Sequence, residues 1–361
     1  MKPKKGIIEK LPAIKETQLE LLSRLSDAVS VSGDESEVRK IVLKEIDELV
    51  DDIKTDAMGN VIAFKPAETE NALTVLLAAH MDEIGFMIAV DHGEGLFQFE
   101  NIGGIDVRQL PGKPVLIGKD KVPAVIGARA IHLTTSEERK RKIPLETLRF
   151  DTGGKENGGK IKPGDRAAFA TKSSYDSYSF RGKAIDDRIG VATLIEILRN
   201  PPKNINLYAV FTTQEEVGLR GAWAASYKIN PDIAIALDST PANDFPTFDG
   251  EENTRYNTKL GDGPVIYTKD RMMLHHKGLM KHFFETAEAY EIPFQFRQPG
   301  AGGTDAGIMQ IQREGIASLS ISVPSRYVHT AIGLALISDW ENTLKLVQAG
   351  LSELNPEVLE S

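Results

Sequence analysis

The chain has 361 residues, 41% hydrophobic and 26% charged, which is ordinary for a globular enzyme and too long for one small core. Its 52 acidic and 43 basic residues give a net charge of −9, so it has no general attraction to phosphate backbones and no nucleic-acid partner is expected. With no cysteine, disulfides and thiolate metal sites are excluded, and any metal must be held by imidazole and carboxylate.

The N-terminus, MKPKKGIIEKLPAIKE, has lysines but no apolar signal core. No apolar run approaches the ~20 residues of a membrane span. Cytoplasmic residence with no membrane partner is therefore expected. Gln18–Val29 and Glu35–Val50 carry apolar residues at helical spacing, and Ser32-Gly33-Asp34 between them supplies a break and an N-cap candidate. Asp56–Asn60 turns into a strand at Val61–Phe64. Four short apolar runs then each lead to a polar residue. Leu73–Ala79 precedes His80, and Ile205–Phe211 precedes Glu215 and Glu216. Ile233–Leu237 precedes Asp238, and Ala317–Val323 precedes His329.

Runs apolar on both faces suit central strands covered by helices. Arg188–Arg199, Leu279–Tyr290 and Trp340–Leu354 carry helical patterns. The expectation is a layered α/β architecture, with ligands bound beyond the carboxyl ends of the strands. The middle of the chain reads differently. Short β-type pieces are broken there by Gly103-Gly104, Pro111-Gly112, Gly118-Lys119-Asp120, Gly153-Gly154 and Gly158-Gly159. Residues 89–172 are expected to form a small β-rich domain inserted into an α/β domain made of 1–88 and 173–361. The basic run Arg139–Lys142 follows Glu137 and Glu138 and reads as a solvated loop.

Each polar residue at a strand end has an ordinary reading. His80-Met81-Asp82 can be a hydrogen-bonded pair, or a metal-ligating imidazole whose second ring nitrogen is held by Asp82. Asp186-Asp187-Arg188 can cap a helix, or one carboxylate can bridge two metals while the other pairs with Arg188. Glu215-Glu216 can enrich a helix start, or Glu216 can bind metal while Glu215 acts as general base. Asp238 can make an Asx turn or serve as a terminal ligand. His329 supplies a second imidazole. Together His80, Asp82, Asp186, Glu216, Asp238 and His329 give two imidazoles and four acids at one sheet edge. That count fits a pair of metal ions sharing one carboxylate.

The segments HMDEIGF, AIDDRIG, TTQEEVGLRGA, ALDST, GGTDAG and RYVHT, in this order, resemble the M42 metallo-aminopeptidases. These include glutamyl and tetrahedral aminopeptidases, and some members carry an endoglucanase label. The resemblance runs from SVSGDESEVRK to WENTLKLV. It implies a three-layer phosphorylase/hydrolase-like zinc-peptidase domain with an inserted, barrel-like dimerisation domain. It assigns His80 and Asp238 to one metal, Glu216 and His329 to the other, and Asp186 to the bridge. Glu215 becomes the base, and Asp82 supports His80. It also implies a cis peptide after Asp186, and two divalent ions, zinc or cobalt with manganese as an option. The nucleophile would be a water shared by the two ions. The substrates would be short peptides, and the assembly a dimer or a dodecamer. The stretches TAIGLALISDW and LRFDTGGKENGGKIKPGD depart from the family's usual wording without touching an assigned ligand. Lys269-Asp270-Arg271 and GAGGTDAG are expected near the substrate side chain. Two rival readings are a glycoside hydrolase and a noncatalytic, metal-stabilised assembly module.

Overall fold

The four apolar runs form the parallel centre of an 11-stranded sheet. The structure is a computed structural model and describes residues 11–250, 258–297 and 302–360. The early strands are β1 (Asp52–Thr55), β2 (Val61–Lys65) and β3 (Leu73–His80). Six strands of a second unit follow: β4 (Gly85–Asp91), β5 (Leu96–Ile102), β6 (Pro114–Ile117), β7 (Val122–Gly127), β8 (Arg149–Asp151) and β9 (Arg166–Phe169). The chain then returns to the sheet with β10 (Ser174–Tyr175), β11 (Ser179–Gly182), β12 (Ile205–Thr212) and β13 (Ile233–Pro241). It finishes with β14 (Val265–Tyr267), β15 (Gln295–Arg297), β16 (Ala317–Arg326) and β17 (Gly333–Leu336). The sheet order is β1-β2-β12-β3-β13-β16-β17-β11-β10, with β14 beside β16 and β15 beside β14.

Among the described residues, seven helices accompany the sheet: α1 (Glu16–Asp27), α2 (Ser36–Ile46), α3 (Ile185–Arg199), α4 (Arg220–Ile229), α5 (Lys277–Ala289), α6 (Asp305–Met309) and α7 (Ile337–Glu353). Strand alternation divides the core between two faces. Val75, Leu77 and Ala79 of β3 pack with α1, α2, α3, α5 and α7. Leu76 and Ala78 pack with Ala222 and Ala225 of α4 and with Ala306 and Met309 of α6. This gives the three layers expected. No helix among the described residues is long and apolar enough to cross a membrane.

The helix bounds differ from the periodicity reading for a physical reason. At the end of helix α1 the Ala28 amide still reaches the Arg24 carbonyl, at 3.2 Å, but the amides after it are used elsewhere. Val29 N–H donates to Glu37 Oε2 at 3.0 Å, and Ser30 N–H to Glu83 Oε1 at 2.9 Å. Helix α2 begins after Glu35, without a side-chain cap. The Ser32 hydroxyl is committed to Asp82 instead, at 2.6 Å.

Strands β4, β5, β8, β7, β6 and β9 close into an antiparallel barrel. Phe86 meets Phe99, Phe150 and Phe169 edge-on at its centre, and Phe99 stacks on Phe150 at 4.0 Å. Barrel and sheet join at Glu83–Gly85. A β-carbon at Gly85 would lie 2.5 Å from Val31 Cγ2 and 2.7 Å from the Ala167 carbonyl, so glycine is needed for the close approach.

Strand order reverses beside β3, with β12 on one flank and β13 on the other. Pairing between β3 and β13 ends at Ala78–Ala236, although the strands run on to His80 and Asp238. A crevice opens there, as at the switch point of other α/β sheets.

Behind this crevice lies a buried charge cluster. Lys183 Nζ is 2.7 Å from both oxygens of Glu83, and Arg188 Nη2 is 3.1 Å from Oε1. All three side chains are at most 2% exposed. Glu83→Gln would leave two buried cations facing a neutral amide. Breaking a buried pair costs about 3–5 kcal/mol. Urea denaturation of Glu83→Gln should show a loss of that order, and a loss below about 1 kcal/mol would mean that the cluster tolerates the uncompensated cations.

Candidate metal centre

His80 ends β3, and Glu215 and Glu216 follow β12. Asp238 lies near the end of β13, and His329 lies just beyond β16. The carboxyl ends of four neighbouring strands thus deliver these five side chains to one place. Asp186 comes from the start of α3, and its peptide bond to Asp187 is cis. His80 Nε2 is 3.1 Å from Asp186 Oδ1 and 3.9 Å from Asp238 Oδ1. His329 Nε2 is 3.5 Å from both Asp186 Oδ2 and Glu216 Oε1. Asp186 therefore turns one oxygen to each imidazole. His80–Asp186–Asp238 and Asp186–Glu216–His329 form two triads, each with its donor atoms within 4.8 Å of one another.

Both imidazoles are oriented by carbonyl groups. His80 Nδ1 lies 3.1 Å from the Asp82 carbonyl, and His329 Nδ1 lies 2.8 Å from the Gly104 carbonyl. A carbonyl only accepts, so each Nδ1 carries a proton and each Nε2 faces the carboxylates. The Asp82 carboxylate is farther from the ring, at 3.5 Å. Its oxygens instead accept Glu215 N–H at 3.0 Å, Glu216 N–H at 3.2 Å and the Ser32 hydroxyl. Asp82 thus fixes the turn carrying Glu215 and Glu216 as well as standing beside His80.

Asp187 is buried and accepts His80 N–H at 3.2 Å and Gly190 N–H at 2.9 Å. The expected pairing of Asp187 with Arg188 is replaced by these amides. Arg188 reaches Glu83 and the carbonyls of Leu25, Met81 and Asp82. It thereby anchors the turn that follows His80.

Five residues without glycine's freedom sit in the left-handed region around these loops: Ala184, Gln214, Leu219, Tyr327 and His329, with φ from 51° to 63°. Each costs energy that the surrounding packing must offset, and such outliers gather at functional sites.

The electrostatics match the crowding. Burial pushes Glu215 and Asp238 well above the ordinary carboxylate range, helped by neighbouring acids. Burial likewise takes Glu216 up to about 7. His329 rises to about 10 despite burial, through Asp186 and Glu216. Asp186 is held low against burial by His329 and His80. These donors are acidic, convergent and mutually repelling, and cations between them would relieve the repulsion. The residues present fit a divalent metal site.

Nothing in the sequence singles out Lys183 or Glu83, while Arg188 reads there as a partner of Asp187, Gly103-Gly104 only as a turn, and Asp305 only as part of GGTDAG. Asp305 is buried, accepts the Thr212 hydroxyl at 2.6 Å, and raises Glu215 through its charge. Its proximity to Glu215 arises only when α6 packs on the sheet. The segments expected near the substrate side chain do meet each other: Arg271 N–H donates to the Gly302 carbonyl at 2.9 Å. Gly300 and Ala301 of that stretch lie outside the described residues.

Residues 59–346 match the M42 glutamyl aminopeptidase family. The chain belongs to that family. It is 36% identical to a putative aminopeptidase of Acetivibrio thermocellus over 92% of this chain and 98% of that one. It is 34% identical to lysyl aminopeptidase of Pyrococcus furiosus, over 93% and 97%. The TET1 peptidase of Pyrococcus horikoshii, which can assemble into a tetrahedron or a large octahedral shell, superposes with a TM-score of 0.82. It is 33% identical and covers 93% of this chain and 100% of that one. The protein is thus an M42 metallo-aminopeptidase.

Metal must compete with protons in this centre, because ligation needs a neutral imidazole Nε2 and an ionised carboxylate. Near neutrality the metal-free protein holds a proton on His329, raised to about 10, and part of one on Glu216, raised to about 7. Raising the pH removes those protons, so affinity should rise with pH. Calorimetric zinc titration in buffers of different ionisation enthalpy should show release of about one proton or more per subunit at pH 7. No proton release, with affinity flat from about pH 6 to 8, would count against this donor set.

Proposed function

We propose that this M42 aminopeptidase removes N-terminal residues from short peptides with a dinuclear metal centre. The observation that carries the reading is the pair of triads sharing Asp186. In this reading His80 and Asp238 would hold one divalent ion, Glu216 and His329 the other, and Asp186 both. Zinc or cobalt suits this imidazole and carboxylate set, and manganese is a further option. Bound metal would supply Lewis acidity, making water more acidic and polarising the scissile carbonyl.

The chain's own residues do the rest. Glu215 is the general base: its carboxylate takes the proton of the attacking water and passes it to the leaving amine. Two features suit it to this. Its backbone amide is held by Asp82 Oδ1, as the Glu216 amide is by Oδ2, so the adjacent acids sit on a fixed turn. Burial and the charge of Asp305 favour its protonated form, which aids return of the proton. A recess lined by Ile84, Ile185, Arg326, Tyr327 and His329 opens beside Asp186 and Glu216 and suits an approaching peptide.

Two other functions fit less well. Glycoside hydrolysis needs two opposed carboxyl groups and leaves two converging imidazoles without a task. A noncatalytic assembly module would not require Glu215 beside a complete donor set. We also assign the barrel, expected over residues 89–172 and beginning with β4 at Gly85, to dimerisation, with further association into a dodecamer, and place the enzyme in the cytoplasm. The shells formed by the Pyrococcus horikoshii TET1 peptidase support the assembly reading.

Glu215→Gln should retain two metal equivalents yet lower kcat by about 10²–10⁴-fold on aminoacyl chromogenic substrates. Near-normal turnover would remove Glu215 from this role. Exhaustive chelation should abolish peptide hydrolysis in the unmutated enzyme, and zinc, cobalt or manganese should restore it. Cleavage of cellulose that survives chelation would favour the glycosidase reading. The same substrate panel reads side-chain preference, for which Lys269–Met273 and Gly302–Gly307 are the proposed wall.

A further inference from the structure

The barrel reaches the metal centre directly. Strand β5 ends at Ile102, and the next two residues, Gly103 and Gly104, lie against Glu216 and His329. The Gly104 carbonyl accepts His329 Nδ1–H at 2.8 Å. Gly103 has φ +79°, and a β-carbon on it would stand 2.7 Å from Ile84 Cγ2 and 3.2 Å from Glu216 Oε2. A β-carbon on Gly104 would stand 3.3 Å from His329 Nδ1. A side chain at Gly103 would need Ile84, and to a lesser degree Glu216, to give way, and one at Gly104 would need the imidazole to shift.

The two halves of the centre are supported unequally. His80 is 3% exposed, and its ring is oriented by the Asp82 carbonyl, which Arg188 Nη1 also holds at 3.0 Å. That support lies within the α/β layers. His329 is 40% exposed and stands on a loop with Tyr327 and His329 both in the left-handed region. Its Nδ1 is met by the Gly104 carbonyl, which belongs to a different folding unit.

We propose that the Gly103–Gly104 turn is a positioning element of the Glu216–His329 half, so that this half is completed by the barrel. The turn does two things. It fixes the tautomer and ring plane of His329 through the carbonyl, and it leaves the Glu216 carboxylate its place by carrying no side chain. Carbonyl or carboxylate partners of ligating histidines commonly change metal affinity by about 10–100-fold when lost. The inference rests on the two-metal reading above.

The test is cobalt binding to full-length protein, followed by calorimetry and by d–d absorption of each equivalent. Gly104→Ala keeps an ordinary backbone and only crowds the ring, while Gly103→Ala also strains the turn. In both, one equivalent should bind as in the unmutated enzyme, and the other should bind about 10–100-fold more weakly, with an altered spectrum. Gly93→Ala is the control, because Gly93 is another barrel-turn glycine with φ +77° and open space around it. It should match the unmutated enzyme, which removes barrel strain as the cause. Two equivalents with unchanged affinity and spectra in Gly104→Ala would overturn the proposal, even if Gly103→Ala failed to fold. Equal weakening of one equivalent in Gly93→Ala would overturn it too. Fewer than two equivalents in the unmutated enzyme would instead overturn the two-metal reading on which it stands.

Discussion

The structure turns on one constraint: a group of carboxylates is crowded at the end of one sheet, out of water. Like charges so placed cannot all stay ionised without compensation. Asp186, Glu215, Glu216, Asp238 and Asp305 respond in the two ways open to them. Asp186 stays ionised because two imidazoles contact it. The others are pushed upward by burial and by one another. The cost is offset elsewhere. Backbone amides satisfy Asp82 and Asp187, and Glu83 receives Lys183 and Arg188. The residual repulsion is confined to side chains that face the crevice, where divalent cations would turn it into attraction.

The sheet makes this crowding possible. Parallel strands bring all their carboxyl ends to one edge, and residues far apart in sequence become neighbours there. Thr212 of β12 lies in register with His80 of β3. Beyond Ala78 and Ala236 the β3–β13 ladder stops, so His80 and Asp238 flank a gap rather than pair across one. Asp186 enters from α3, outside the strands, and turns one oxygen to His80 and the other to His329. The Asp186–Asp187 pair therefore divides its work. One carboxylate faces the crevice, and the other is consumed by the amides of His80 and Gly190.

Much of this was legible in the sequence because apolar runs and the residues after them carry positional meaning. Leu73–Ala79 is apolar at every position from Val75 onward, which marks a strand covered on both faces, and His80 had to emerge at its end. What could not be read was any contact made by packing between segments. Asp305 follows a glycine-rich stretch and looks like a turn residue until α6 sets it near Glu215. Arg188 looks like the partner of its neighbour Asp187. In the structure the guanidinium passes beneath the site to the Met81 and Asp82 carbonyls. Gly103-Gly104 reads as a turn, and it is one. No periodicity could say that its carbonyl faces an imidazole 225 residues later in the chain.

The same division explains why the chemistry can be read more fully than the preferred substrate. Water activation, carbonyl polarisation and proton transfer involve the peptide bond and the terminal amine, which every peptide has in common. In the proposed reading the groups that would perform them lie at strand ends, and recognition of the departing side chain would fall to surfaces outside those ends. Here the Lys269–Met273 and Gly302–Gly307 segments lean on each other through Arg271 and Gly302. A β-carbon on Gly307 would lie 2.6 Å from Met272 Cβ, so the two segments are closely packed. That packing lies outside the strand ends, so wall residues can change there without disturbing the side chains that the strands deliver to the site.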